Sequence, residues 1–180
     1  MSHHRHAHPP LVPLTASELD DPSFGQNCIG CSPRNAKGLH LHFTPHGHEV
    51  RAELTLDRSY ESYPGMIHGG VVAVILDEVT GRAALWRARC FVMTMGIRLR
   101  YASIMVPGRR YIARAEATAT ADDQLRADGV LEDDTGRLVA TAAATFTALR
   151  GAQLAAALAD LPEPTRALAR ELDALGHAHS

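Results

Sequence analysis

Between His68 and Arg82 the chain carries two charges, Asp77 and Glu78, among Val71, Val72, Val74, Ile75, Leu76, Val79 and small residues. A carboxylate in apolar surroundings costs free energy unless it is paired or used. Glu78 precedes Arg82 by four residues, the favourable order for an ion pair along a helix, so it has a structural partner. Asp77 shares its helical face with Gly70, Ala73, Thr80, Gly81 and Ala84, small neighbours that leave room for a ligand and a water. Asp77 is therefore the expected working acid. The plainer alternative is that a neighbouring strand's backbone satisfies it. At the start of the same stretch, His68-Gly69-Gly70 exposes backbone N–H groups at the positive end of a helix. Such donors suit the oxyanion formed when water attacks a carbonyl. The tripeptide alone is a weak signal, because Gly-Gly is common in turns.

Gly69 and Asp77 stand eight residues apart, about 12 Å along a helix. That is too far for both to touch one reacting carbonyl. If both act, a site combines Gly69 of one subunit with Asp77 of another, and the chemistry predicts a dimer.

The elements that must hold these groups follow from periodicity. Residues 1–22 read as a tail, with a capping-box turn at Thr15 to Asp20. Residues 23–37 read as loop. Leu39, Leu41 and Phe43 alternate with His40 and His42; Pro45 to His48 turns the chain; Val50, Ala52, Leu54 and Leu56 alternate with polar residues. From His68 to Ala88 an almost wholly apolar helix is expected, buried on more than one side. Strands follow at Phe91–Tyr101, from Tyr111, over Leu125–Glu132 and at Arg137–Leu149, with turns at Pro107-Gly108 and Asp133–Gly136. Alanines fill the inward positions of two of them. The expected class is α+β: a curved antiparallel sheet wrapped around one long central helix. The domain spans 23–150, with an Ala/Leu-rich helical extension over 151–180 that packs on the sheet or on a neighbouring subunit.

Bulk properties narrow the function classes. A chain of 180 residues suits one domain with a proper core. A net charge of -2 gives no overall pull toward nucleic acid. No stretch approaches the ~20 apolar residues of a membrane span. Three cysteines, an odd number, argue against a disulfide-stapled secreted fold, so a cytoplasmic setting is the expectation. Aromatic residues make up 5% of the chain; the thin core this implies favours an oligomer.

The run His68-Gly69-Gly70-Val71-Val72-Ala73-Val74-Ile75-Leu76-Asp77 resembles the helix signature of hotdog-fold acyl-CoA thioesterases, in the phenylacetate-pathway (PaaI-like) branch. The leader Asn27-Cys28-Ile29-Gly30-Cys31-Ser32-Pro33-Arg34-Asn35-Ala36-Lys37-Gly38-Leu39, and Tyr63-Pro64-Gly65-Met66-Ile67, are similar to a subgroup that includes mitochondrial long-chain thioesterases. The resemblance covers residues 23–149. It implies the hotdog fold, a homodimer whose sheets join or a homotetramer, and hydrolysis of acyl-CoA without metal or cofactor. It places the family's acid on Asp77, its oxyanion glycine on Gly69 and its hydroxyl residue on Thr94. In many relatives an asparagine stands six residues before the histidine; here that position is Ser62. His68 is expected to orient its loop. Asp77 acts either as general base on water or as nucleophile.

Gly70, Ser62, Met66 and Ile67 are the expected substrate contacts, with Phe91, Met93 and Met95 extending the pocket wall. Arg98 and Arg100 share a strand face, and Arg109, Arg110 and Arg114 surround the next turn; CoA phosphates suit arginine, as does an ordinary charged surface. Cys28-x2-Cys31 invites a zinc or redox reading. A structural zinc site needs four ligands; His40 and His42 would have to join, and the plainer reading is a tight loop packed over the sheet. Two rival functions use the same fold: an acyl-CoA sensor without turnover, and a dehydratase. The dehydratase would want a histidine inside the helix, and none follows His68 there.

Overall fold

A computed structural model describes residues 27–120, 123–163, 165–167, 169–170 and 174. The turn expected at Thr15 to Asp20 lies outside them. The described chain runs β1 (Phe43–His46), β2 (Glu49–Thr55), a 3-10 turn (Arg58–Tyr60), β3 (Glu61–Tyr63), β4 (Met66–Ile67), α1 (Gly69–Ala88), β5 (Val92–Tyr101), β6 (Arg110–Ala119), β7 (Gln124–Asp133), β8 (Leu138–Ala148) and α2 (Gly151–Ala157). Six strands form one antiparallel sheet in the order β1-β2-β6-β7-β8-β5, while β3 and β4 make a separate small ribbon.

The helix α1 is the centre of the core, touching β2, β5, β6, β7 and β8. Val72, Ile75, Leu76, Val79 and Ala83 are buried. β-branched residues each cost a few tenths of a kcal/mol in a helix, whereas burying each side chain is worth about 1.5–3 kcal/mol. Burial decides, and the apolar run is helical. Facing it are Tyr111, Ala113, Ala115 and Ala117 of β6 and Ala140, Ala142, Ala144 and Phe146 of β8, all buried. The alternation expected of these two strands holds, save that Leu138 and Ala119, both expected to face inward, are exposed, and Ala121 lies outside the described residues.

The small inward residues set how near the helix lies. At Gly129 of β7 an added Cβ would sit 2.7 Å from Thr80 Cγ2 and 3.4 Å from Leu76 Cδ2. Thr80 is itself fully buried and donates its hydroxyl to the Leu76 carbonyl at 2.7 Å.

Two expectations near the start of the domain are corrected. Leu39 to Phe43 is not a strand until Phe43: His40 takes a positive φ of 52°, and the backbone N–H groups of Leu39 and Leu41 donate to the carbonyls of Ile29 and Gly30 at 2.8 Å. Leu39 and Leu41 are buried as expected, but their backbone partners are in the cysteine loop. Pro45 belongs to β1, paired with Val50, and the turn falls at Gly47. The Asp133–Gly136 turn is as expected and is held by Asp133, whose carboxylate accepts from Thr135, from the Arg137 N–H and from Arg109. Leu154 and Leu158 of the extension, with Ala169, pack against Leu149 and Phe91 at the end of the sheet.

Gly129→Ala is expected to destabilise the chain by about 1–3 kcal/mol through overpacking. Adding Thr80→Ser, which removes the crowding methyl and keeps the hydroxyl, recovers most of the loss in denaturant titrations. Equal stability of Gly129→Ala and the parent would contradict this tight helix–sheet contact.

Candidate active site

Asp77 lies midway along α1 and is half-buried. The Thr94 hydroxyl of β5 donates to its Oδ1 at 3.3 Å. Burial pushes the Asp77 carboxyl above the ordinary aspartate range, and the Thr94 hydrogen bond pulls part of the way back. The result is a carboxylate more basic than a surface aspartate, with a hydroxyl beside it. Of the small residues expected along its face, Thr80 and Ala84 are buried against the sheet. Gly70 is exposed, and Ala73 and Gly81 are half-buried.

His68 is the N-cap of α1, and its Nδ1 accepts from the Gly70 N–H at 2.8 Å. An accepting Nδ1 puts the proton of a neutral ring on Nε2. The His68 carbonyl takes the N–H groups of Val71 and Val72. Gly70 is thereby occupied as a donor, and among the described residues the Gly69 N–H has no acceptor. A residue not singled out in the sequence joins here: the Tyr101 hydroxyl donates to the Gly69 carbonyl at 2.9 Å, and its ring lies 3.8 Å from where a Cβ on Gly69 would sit.

Thr94 and Tyr101 reach α1 from the same strand although they are seven positions apart, an odd offset that would send them to opposite faces of a regular strand. The cause is a bulge between Thr94 and Gly96. Thr94 pairs with buried Phe146 and faces the helix; after the bulge Ile97, Leu99 and Tyr101 pair with the buried Ala144, Ala142 and Ala140. Arg98 and Arg100 then pair with Ala143 and Thr141 and point to the other face of the sheet. They are exposed and form no ion pair among the described residues. The single chain does not bring them to Asp77.

The other expected contacts divide. Ile67 is 3% exposed and belongs to the core, its N–H bonded to the Met105 carbonyl; it is not pocket wall. Met66 beside it is half-buried. Ser62 is exposed at an irregularity in the β3–β4 pairing. Met93 and Met95 are exposed on β5, while Phe91 packs against the C-terminal extension. Arg109, Arg110 and Arg114 pair with Asp133, Glu53 and Glu132, so they are structural rather than open for phosphate. Glu78 also differs from expectation. The Arg82 guanidinium lies over the Phe43 ring at 4.7 Å, and Glu78 Oε1 takes a hydrogen bond from Cys28 Sγ at 3.4 Å.

No protein-family model matches the chain, and no curated protein matches it by sequence. Solved structures do resemble it. A thioesterase superfamily protein is 23% identical with a TM-score of 0.62, over 66% of this chain and 62% of that one, less than two thirds of its length. The E. coli PaaI protein from the phenylacetic acid degradation operon is 13% identical with a TM-score of 0.58, over 63% of this chain and 83% of that one. A hypothetical thioesterase from Streptococcus pneumoniae, solved with coenzyme A, is 16% identical with a TM-score of 0.56, over 60% and 84%. The pneumococcal protein has also been solved with single aspartate-to-alanine and threonine-to-alanine substitutions. A curved antiparallel sheet around one central helix, shared with these proteins, gives this chain the hotdog fold.

Proposed function

We propose that the chain is an acyl-CoA thioesterase that hydrolyses a thioester to free acid and CoA. The observation that carries this reading is the Thr94 hydroxyl on the Asp77 carboxylate, at a half-buried position of the central helix. Asp77 acts as general base on a water held beside Thr94. The Gly69 N–H, without an acceptor among the described residues, donates to the oxyanion, with His68 and Tyr101 positioning its turn. The neighbour solved with coenzyme A supports the substrate class, and Arg98 and Arg100, which form no ion pair among the described residues, supply charge for its phosphates.

The reading includes a homodimer. Gly69 and Asp77 sit on one continuous helix of 20 residues, so each site takes its oxyanion donor and its base from different subunits. In support, β5 is an edge strand that exposes Met93, Met95, Ile97 and Tyr101. An open apolar edge calls for a cover, and β5 is the strand that bears Thr94.

Asp77→Ala and Asp77→Asn are expected to lose about a thousandfold or more of thiol release from a panel of acyl-CoAs, with folding and dimerisation intact. Near-normal turnover by either folded variant would remove Asp77 from the role.

Because the carboxylate is the active form, kcat/KM rises with pH through the raised Asp77 pKa. Thr94→Val deletes the hydrogen bond that lowers this pKa, so the acid limb moves to higher pH. A limb that stays put or moves down contradicts the assignment. Met95→Asp, at the open edge, is expected to yield folded monomer in sedimentation and to lose turnover with it; an active monomer would exclude a shared site.

A further inference from the structure

The loop before β1 is docked on α1 by its cysteines. Cys28 and Cys31 are free thiols, both half-exposed, with their sulfurs 3.1 Å apart. The Cys31 N–H also points at Cys28 Sγ, at 3.3 Å. Glu78 closes the cluster: its carboxylate oxygen and both sulfurs lie within 4.8 Å of one another. The glutamate lies directly over Gly30, where an added Cβ would fall 2.3 Å from its side chain. The loop and this one acid are thus fitted together.

Two chemistries suit a Cys-Cys-Glu cluster. A tetrahedral metal with metal–sulfur bonds of about 2.3 Å holds its sulfurs about 3.8 Å apart and takes four ligands. Here the sulfurs are closer than that, the described residues offer three ligands, and Arg82 places a positive charge on the cluster. His40, one of the two histidines that a zinc site would have had to recruit, has its Nε2 2.7 Å from the Asn35 carbonyl. Thiol exchange has the opposite needs: adjacent sulfurs, a hydrogen-bonded thiolate and a nearby base. The hydrogen bond from Cys31 pulls the Cys28 thiol down to about 5, while the same bond and burial push Cys31 up. Burial, then the Cys28 charge, push Glu78 up to about 7, with Arg82 opposing.

We infer that Cys28 and Cys31 are a reversible dithiol–disulfide pair, oxidised by low-molecular-weight disulfides, with Glu78 as the proton carrier for Cys31. The Cys28 thiolate attacks one sulfur of the small disulfide. A mixed disulfide forms, the original S–S bond breaks, and the other half leaves as a thiolate that takes the proton of Glu78. With the charge on Cys28 gone, Glu78 is a carboxylate and accepts the proton of Cys31. The Cys31 sulfur attacks Cys28, the protein disulfide forms, and the second small thiolate leaves with that proton. Two electrons pass from the protein to the small disulfide, which ends as two thiols. This pair is independent of thioester hydrolysis, though Glu78 adjoins Asp77 on α1.

The test uses the full chain in glutathione and glutathione disulfide buffers, quenched with acid, alkylated and read by mass spectrometry. A disulfide joining Cys28 to Cys31 is expected, reversed by excess glutathione, with buried Cys90 left as thiol. Cys31→Ser should stop at one glutathione on Cys28. Glu78→Gln, checked for an unchanged melting curve, should slow closure of the mixed disulfide about tenfold or more at neutral pH, with the deficit shrinking as pH rises. Closure at the parental rate in Glu78→Gln would overturn the carrier role. Absence of a Cys28–Cys31 disulfide, or one equivalent of zinc that shields both thiols until chelated, would overturn the pair itself.

Discussion

The contact on which this structure depends is the one between an apolar helix and a sheet faced with alanine. Burying Val72, Ile75, Leu76 and Val79 supplies several kcal/mol, but only if the helix lies close enough to leave no voids. Alanines on β6 and β8 and the bare backbone of Gly129 permit that approach. The same closeness explains Thr80, whose hydroxyl is turned back to the helix carbonyls while its methyl meets the sheet.

Once α1 is fixed by its buried face, the groups at its margins acquire their surroundings. Asp77 falls where the helix meets β5, at the edge of the sheet. It is desolvated enough to become more basic, yet open enough to be reached. Glu78, one residue on, is rotated toward the cysteine loop. Adjacent acids on one helix thus serve different neighbours, because successive residues point about 100° apart. At the N-terminus of the helix, His68 accepts the Gly70 N–H, while that of Gly69 has no acceptor among the described residues. This is a local consequence of capping with consequences for chemistry.

The order of β5 to β8, the long helix and the inward alanines were legible because each produces a repeating pattern over ten or so residues. Hydrophobic burial enforces such patterns at every position, so single misfits do not hide them. The short pieces were less legible. Leu39 and Leu41 alternate like a strand, yet their backbone partners lie in a loop of no regular pattern. Ile67 reads as pocket wall beside Met66, but one side of that two-residue strand faces the core.

By itself, the sequence determined that one apolar helix carries two acids, one of them with small neighbours, and opens on His-Gly-Gly, and that strands with alanine faces must enclose it. Periodicity and the cost of burying charge suffice for that. Tertiary structure alone decided which groups meet the acids. A single bulge after Thr94 reverses the strand's parity, sending Tyr101 to Gly69 and Arg98 and Arg100 to the far face. A sliding pattern has no term for one extra residue. Nor does the spacing of Glu78 and Arg82 reveal that a cysteine from a loop fifty residues earlier takes the acid instead. Both outcomes depend on which segments the packed helix brings together, and that information lies in long-range contacts rather than in neighbours along the chain.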